Sequence, residues 1–235
     1  PNCISYDPTY AYELAVIMQH GMQEMYVDQK DVYYYITLTN DNIVHPAMPE
    51  GAEAGIIRGM YRLQPSAVAS DQPVSLLGCG AILPEVVKAA NILAERYQVA
   101  AEVWSVPSFN LLRRDAQAWQ RRCLLSPEDD HGQPYIAECL GQGTAPVIAA
   151  TDYVKLFAEQ VSPFISRPYE VLGTDGFSRS DTRAKLRQHF EVNSAYVVYA
   201  TLVSLARIGE VAWSVVRQAQ QDLNIQVEKS DPMFT

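Results

Sequence analysis

Basic residues and long apolar runs are both scarce. The chain has 18 Lys and Arg against 27 Asp and Glu, a formal net charge of −9 over 235 residues. Because surplus negative charge repels phosphate backbones, we expect no nucleic-acid partner. The longest apolar run, residues 195–206, contains Thr201 and Ser204. It falls short of the roughly 20 residues that span a bilayer, so we expect no membrane partner either.

Cysteine is also sparse, and the four cysteines are far apart: Cys3, Cys79, Cys123 and Cys139. Disulfide frameworks and zinc sites need clustered cysteines, and no C-x-x-C occurs. The spacing predicts reduced, mostly buried thiols in a cytoplasmic protein.

The familiar catalytic motifs are missing too. There is no G-x-S-x-G, no H-E-x-x-H and no Gly-Lys-Ser/Thr phosphate loop. The Gly and Pro residues follow no repeating period, which excludes collagen-like and solenoid folds. The residues alone therefore offer no complete catalytic set.

What the sequence does contain is a globular composition, 48% hydrophobic and 19% charged. From residue 73 onward, apolar runs alternate with stretches of helical period. An alternating order of this kind predicts an α/β fold with a mostly parallel, doubly wound sheet and helices on both faces. The predicted strands cover residues 74–77, 99–106, 135–140, 146–150 and 169–172, and the predicted helices cover 84–97, 109–123, 153–161, 181–190, 194–208 and 212–223.

The first 45 residues follow a different order. Asp7 and Pro8 have the pattern of a helix cap followed by proline in the first turn, and residues 11–25 have a helical period. Residues 31–39 alternate as a strand does. We interpret residues 1–45 as the end of another α/β domain, residues 46–72 as a junction and residues 73–235 as a second domain. Since the chain starts without Met, we expect it to be part of a longer polypeptide.

Two glycine-containing turns invite functional interpretation. The turn Gly78-Cys79-Gly80 follows a strand, as a dinucleotide-binding turn does, but Leu83 stands at the third glycine position. The acidic residue expected at the far end of the next strand is missing, since Glu102 lies near its start. A tight strand-to-helix turn is the favoured interpretation.

The second turn, residues 173–181, is the densest polar cluster of the chain. A phosphate cradle, a metal site and a subunit contact are the functional alternatives. Asp175 and Asp181 do not have the spacing of a calcium loop. A turn with Ser180 capping the next helix needs no ligand. We therefore retain Asp175, Arg179 and Asp181 as structural or interface candidates.

His45 is the only catalytic candidate. It lies in the junction, and a pKa near 6.5 would suit proton transfer. A solvated loop histidine is the favoured alternative, because no paired carboxylate or serine is nearby. His20, His131 and His189 have no metal-ligand spacing, so we expect no metal site.

Several blocks of sequence resemble the homodimeric bacterial type of pyruvate dehydrogenase, decarboxylating component. The resemblance covers essentially the whole chain and corresponds to the C-terminal quarter of that family: the end of the pyrimidine-binding domain, then the transketolase-like C-terminal domain. The blocks are residues 1–8 (PNCISYDP), 33–36 (YYYI), 46–51 (PAMPEG), 151–153 (TDY), 155–161 (KLFAEQV) and 171–177 (VLGTDGF).

This resemblance implies a function for the complete protein. The family uses thiamine diphosphate and Mg²⁺ to decarboxylate pyruvate, and passes the acetyl group to a lipoyl-bearing acyltransferase of a multienzyme complex. In the family, the metal motif and the activating glutamate lie upstream of Pro1. We therefore identify no cofactor-binding residue in this chain. We expect it to bind no thiamine diphosphate by itself and to act as a structural, dimerising part of the complete protein.

Residues 41–45 and Ser178 differ from the family pattern. A paralogue acting on 2-oxobutyrate is therefore one alternative. A stand-alone module that docks a partner is another, and a flavodoxin-like nucleotide-binding domain is disfavoured by the incomplete glycine pattern.

Overall fold

Two sheets of unequal size organise the chain in the computed structural model, which describes residues 1–235. The first sheet has two strands and the second has five. The strands are β1 (Cys3–Tyr6), β2 (Tyr33–Ile36), β3 (Tyr61–Gln64), β4 (Val74–Gly78), β5 (Ala101–Ser105), β6 (Val147–Ala150) and β7 (Tyr169–Leu172). The α-helices are α1 (Ala11–Met22), α2 (Glu53–Arg58), α3 (Leu83–Tyr97), α4 (Phe109–Leu125), α5 (Tyr135–Leu140), α6 (Lys155–Glu159), α7 (Arg183–His189), α8 (Ser194–Arg207) and α9 (Trp213–Asp222).

The small lobe, residues 1–45, is built on β1, α1 and β2. The two strands are parallel, with Cys3 opposite Tyr33, so the unit is strand–helix–strand. Sequence analysis missed β1. It also placed the start of α1 too early, because the helix begins at Ala11. The Asp7 carboxylate does not cap it, since that group accepts hydrogen bonds from Thr37 and Tyr153 instead.

The large lobe, residues 46–235, contains the five-stranded sheet in the order β3-β5-β4-β6-β7. Four strands are parallel, and only the edge strand β3 is antiparallel to its neighbour. Every residue of β4, β5 and β6 is buried. Burial on both faces explains why these strands are mostly apolar, and the polar exceptions, Ser75, Glu102 and Ser105, are hydrogen-bonded.

Helices cover both faces of this sheet. Alternate strand residues face opposite sides, so Leu76 packs in the core beneath α3, α8 and α9, while Leu77 packs in the core beneath α4 and α5. The predicted α/β class and the mostly parallel, doubly wound sheet are confirmed. No helix is long and apolar enough to cross a membrane.

The predicted junction, residues 46–72, contains α2 and β3. Strand β3 belongs to the large sheet, with Tyr61 opposite Ser105 of β5. Gly59 ends α2 with a φ of +100°, and a Cβ there would lie 2.6 Å from the Ser108 carbonyl oxygen. Only glycine fits this close approach. The boundaries at residues 45 and 72 stay a prediction.

One predicted strand is wrong: residues 135–140 form α5. The Asp115 carboxylate accepts a hydrogen bond from the first backbone N–H of this helix, at 2.7 Å. Ile136 and Leu140, four residues apart, are both buried. A helical spacing of buried residues therefore outweighed the strand-like composition.

Smaller differences concern caps and thiols. Thr182, not Ser180, caps α7. All four cysteines are free, but only Cys79 is fully buried, so the expectation of mostly buried thiols is wrong.

Candidate functional site

A polar crevice opens between the two lobes, at the carboxyl ends of β4 and β6. Its volume is about 330 Å³, and the side chains that matter for its chemistry are Asp7, Thr37, Asp152, Tyr153 and Arg183. Strand β4 lies at the centre of the sheet, and the strands that follow it in sequence lie on opposite sides of it, β5 on one side and β6 on the other. In open α/β sheets, such a point of reversal in strand order is where ligands commonly bind.

Asp7 is the central polar residue of the crevice and is only 7% exposed. Its Oδ1 accepts hydrogen bonds from the Tyr153 hydroxyl at 2.7 Å and from the Thr37 hydroxyl at 2.5 Å. Its backbone N–H donates to the Pro107 carbonyl at 2.6 Å. One side chain thus connects β2 to the loop after β6. The bond from Tyr153 attaches the lobes to each other, while the bond from Thr37 lies within the small lobe.

The other ionisable groups of the crevice are poorly suited to nucleophilic chemistry. Burial raises the pKa of Asp152, with repulsion from Asp7 adding to the effect and Arg187 opposing it. The Cys79 thiol, next to the crevice residue Gly80, does not line the crevice but is fully buried, which raises its pKa well above the ordinary value. A thiol in this state has little thiolate to act as a nucleophile. The crevice therefore offers groups that bind and position, not an activated nucleophile.

Glu13 of α1 makes the second polar connection between the lobes and is completely buried. Its Oε1 accepts from the Tyr61 hydroxyl at 2.7 Å and the Ser105 hydroxyl at 2.5 Å. Its Oε2 accepts from the backbone N–H groups of Thr9 and Tyr10, at 2.5 and 2.8 Å. Two strands of the large sheet are thereby connected to the start of α1.

Sequence analysis missed Glu13, although a pattern could have found it. Ile17 and Gly21, four and eight residues further along the helix, are both buried. Positions four apart lie on the same helix face, so Glu13 stands on the buried face of α1. A carboxylate on such a face requires hydrogen-bond partners, and the structure supplies four.

His45 lies exposed in the junction. Its Nδ1 accepts a hydrogen bond from the Ala11 N–H at 3.2 Å, and its ring stands edge-on to Tyr10. None of the four histidines is hydrogen-bonded to a serine, threonine or cysteine side chain. A catalytic role for His45 stays a prediction.

Asp175, Arg179 and Asp181 do not form one cluster of contacts. Asp175 accepts a hydrogen bond from the Lys155 N–H at 3.0 Å, which connects the turn after β7 to the start of α6. Asp181 accepts from the Thr182 N–H at 2.7 Å. Arg179 lines a separate polar pocket. Their role in a subunit interface stays a prediction.

The glycine turns are filled by protein atoms. A Cβ on Gly78 would lie 2.8 Å from the Cα of Leu83, which supports the tight-turn interpretation of residues 78–80. A Cβ on Gly176 would lie 2.1 Å from the Pro232 carbonyl oxygen, so the tail of the chain packs on this turn. No group of three or more His, Cys, Asp or Glu side chains is placed to hold a metal ion. The carboxylate, imidazole and thiol groups of this chain thus do not converge on one point as the ligands of a metal ion do.

Comparison with known proteins agrees with this two-part organisation. Residues 59–193 match the model of the transketolase-like TK C-terminal domain, and residues 1–46 match the pyruvate dehydrogenase E1 component middle domain. The chain is 51% identical over 234 residues to the pyruvate dehydrogenase E1 component of Pseudomonas aeruginosa, covering 99% of this chain and 26% of that protein. The E1 component of Escherichia coli strain K12 gives the same identity and coverage.

Among solved structures, transketolase from Leishmania mexicana superposes with a TM-score of 0.62 at 18% identity, covering 92% of this chain and 28% of that one. This likeness shows a shared fold. The chain spans about a quarter of the length of the curated relatives, with 26% of each covered. The chain belongs to the transketolase-like C-terminal domain family, and over its whole length it is homologous to pyruvate dehydrogenase E1 components.

Proposed function

We propose that the chain is the C-terminal part of a thiamine-diphosphate-dependent pyruvate dehydrogenase, which decarboxylates pyruvate and transfers the acetyl group to a lipoyl-bearing acyltransferase. The observation that carries this proposal is the identity of 51% across 99% of the chain to E1 components. About half of the residues are identical to those of E1 components along the whole chain, both lobes included. This favours a shared role over a shared fold alone.

Within that enzyme, the chain supports the reaction centre and does not contain it. The crevice holds a carboxylate, Asp7, whose Oδ1 accepts from Tyr153 and Thr37, and the nearby Cys79 thiol is buried outside the crevice lining. Glu13 fixes α1 against β3 and β5. These contacts would hold the end of the pyrimidine-binding domain, residues 1–45, in a defined position against the C-terminal domain, residues 73–235. Position matters because a misplacement of about 1 Å can cost a hundredfold in rate.

The cofactors of the complete enzyme would be thiamine diphosphate and Mg²⁺. In the complete enzyme they would supply the carbanion chemistry that decarboxylation of a 2-oxo acid requires. We propose that the isolated chain neither binds the cofactor nor turns over.

The partners of the complete enzyme would be a second copy of itself and the lipoyl-bearing acyltransferase of a multienzyme complex, in the cytoplasm. Asp175, Arg179 and Asp181 are the proposed interface or structural residues. Asp175 and Asp181 already stabilise turns within the chain, which supports the structural part of this proposal.

An assay of the complete protein tests the proposal. With thiamine diphosphate and Mg²⁺ present, the complete protein should decarboxylate pyruvate and acetylate a lipoyl domain. Comparison with 2-oxobutyrate identifies the preferred substrate, and a preference for it would assign the paralogue alternative. Failure to decarboxylate either acid, in a folded protein, would contradict the enzymatic role.

The isolated chain provides the second arm. Once circular dichroism shows that it is folded, titration calorimetry with thiamine diphosphate and Mg²⁺ should give no binding heat. Binding by this chain alone would overturn the supporting role while leaving the activity of the complete protein unaffected.

A further inference from the structure

A second polar pocket, which we call the α7 pocket, lies away from the inter-lobe contacts. It has a volume of about 460 Å³, and leucine is the only apolar side chain in its lining. Three cationic side chains and two serine hydroxyls line it: Arg179, Lys185, Lys229, Ser180 and Ser230. The chain as a whole has a net charge of −9, whereas the side chains lining this pocket carry a net positive charge.

Lys229 is held in place by the protein, whereas Lys185 is an exposed side chain with a single ion pair. The Lys229 ammonium donates to the carbonyl oxygens of Gln188 and His189 and forms an ion pair with Glu191 at 3.2 Å. Its side chain is only 14% exposed, so its charge is poorly screened. Lys185 pairs with Asp181, the one carboxylate side chain in the lining, at 3.6 Å.

Arg179 is different, because its guanidinium has neither an ion pair nor a hydrogen bond within the chain. A guanidinium presents donors in a planar fork that matches two oxygens of a phosphate or carboxylate group. Arg179 thus contributes an unused, directional donor set beside two lysines, each of which is paired with a carboxylate.

His189, at the end of α7, also lines this pocket and lies close to its positive charges. Partial burial lowers its pKa, and Lys229 and Arg179 lower it further, with Glu191 opposing them. The positive charges of the pocket therefore act on the same volume, although they come from separate segments of the chain.

We propose that the α7 pocket binds the phosphate group of a small metabolite or free phosphate. The shared chemistry is a tetrahedral, doubly charged oxyanion. Arg179 would bind two of its oxygens, Lys185 and Lys229 would supply the remaining positive charge, and the hydroxyls of Ser180 and Ser230 would donate hydrogen bonds. The site lies beyond the function proposed above and requires no step of that reaction.

Equilibrium dialysis of the complete protein against ³²P-labelled inorganic phosphate tests the site, with chloride matching the ionic strength. Arg179→Gln should weaken phosphate binding at one site per chain about tenfold or more, because a charge-assisted hydrogen bond is lost. Arg121→Gln is the matched control, since Arg121 is an exposed arginine on α4 outside this pocket. It should leave binding unchanged.

Competition identifies the source of the oxyanion. If glycerol 3-phosphate displaces the label at lower concentrations than unlabelled phosphate does, the site binds a phosphate monoester. If unlabelled phosphate is the more effective competitor, the site binds free phosphate. Equal phosphate binding by the wild type and Arg179→Gln would overturn the proposal. So would dissociation of the oligomer in Arg179→Gln with phosphate binding intact, because Arg179 would then serve a subunit contact.

Discussion

The two lobes differ in how they obtain their stability. The sheet of the large lobe lies between two hydrophobic clusters of 21 and 14 buried residues, so it is covered by its own helices. The small lobe shares a cluster of only five buried residues, three of which, Ala52, Ile56 and Tyr61, belong to the large lobe. On β2, Tyr33 and Tyr35 are 54% and 62% exposed.

This difference shows that the stability of the small lobe depends on its contacts with the large lobe. Five buried residues supply little of the free energy needed to order 45 residues, since each buried aliphatic or aromatic side chain contributes about 1.5–3 kcal/mol. Polar contacts to the large lobe, made by Glu13 and Asp7, supply part of the rest. Removing these contacts should therefore destabilise the small lobe more than the large lobe.

The largest effect is expected for Glu13→Ala. It leaves two backbone N–H groups and two hydroxyls without their acceptor in a buried site, which should lower the free energy of unfolding by about 3 kcal/mol or more. Denaturant unfolding measures the loss, and limited proteolysis should cut within residues 23–45 first.

Glu95→Ala is the control for this change, because Glu95 is an exposed glutamate on α3. It should change the free energy of unfolding by less than about 0.5 kcal/mol. If Glu13→Ala were equally mild, the small lobe would not depend on this carboxylate.

A smaller effect is expected for Tyr153→Phe. The change removes the hydroxyl that donates to Asp7 at 2.7 Å, and should cost about 1–2 kcal/mol because the acceptor is charged and buried. Tyr35→Phe is the matched control, since Tyr35 is 62% exposed. Thermal unfolding of both variants should show a loss for Tyr153→Phe alone, and equal midpoints would remove Tyr153 from the lobe contact.

The smallest effect, and one of opposite sign, is expected for Asp152→Asn. Burial and Asp7 raise the pKa of Asp152 in the folded chain, so the unfolded chain releases this proton at a lower pH. The ionised carboxylate therefore costs stability above its unfolded pKa of about 3.9. The variant should be more stable than the wild type at neutral pH, by less than about 1 kcal/mol because solvent screens the group.

Unfolding curves between pH 3 and pH 7 test the sign. The advantage of Asp152→Asn should vanish at the acidic end, where both folded and unfolded chains carry the proton, and grow as the pH rises through the raised pKa. A constant difference across the range would show that a lost contact, not the charge, causes the effect.

Long periodic elements were predictable from sequence because burial imposes the pattern directly. The steps of three and four from Phe109 to Cys123 predicted α4, which spans Phe109–Leu125. The mostly apolar runs of β4 and β6 were recognised for the same reason, since a strand covered on both faces has few polar positions. Of the candidate site, Asp175, Arg179 and Asp181 were found as a polar cluster, but their separate contacts were not foreseen.

Short elements with distant partners were not predictable. The antiparallel edge strand β3 lies within a stretch rich in turn residues and exists because Tyr61 pairs with Ser105, more than 40 positions away. Asp7 has the sequence pattern of a helix cap, yet Tyr153 and Thr37 occupy its carboxylate. Each local pattern was outweighed by a contact that the local sequence does not contain.

The sequence by itself determined the α/β class and the family, because these follow from hydrophobic period and from blocks of residues in order. Only the tertiary structure decided which side of the sheet each helix covers, that Glu13 is buried at the lobe contact, and that the crevice is occupied by hydrogen bonds between lobes. The physical reason is range: hydrophobic period depends on neighbours within a few residues, whereas a buried carboxylate is stabilised only by partners that folding brings to it.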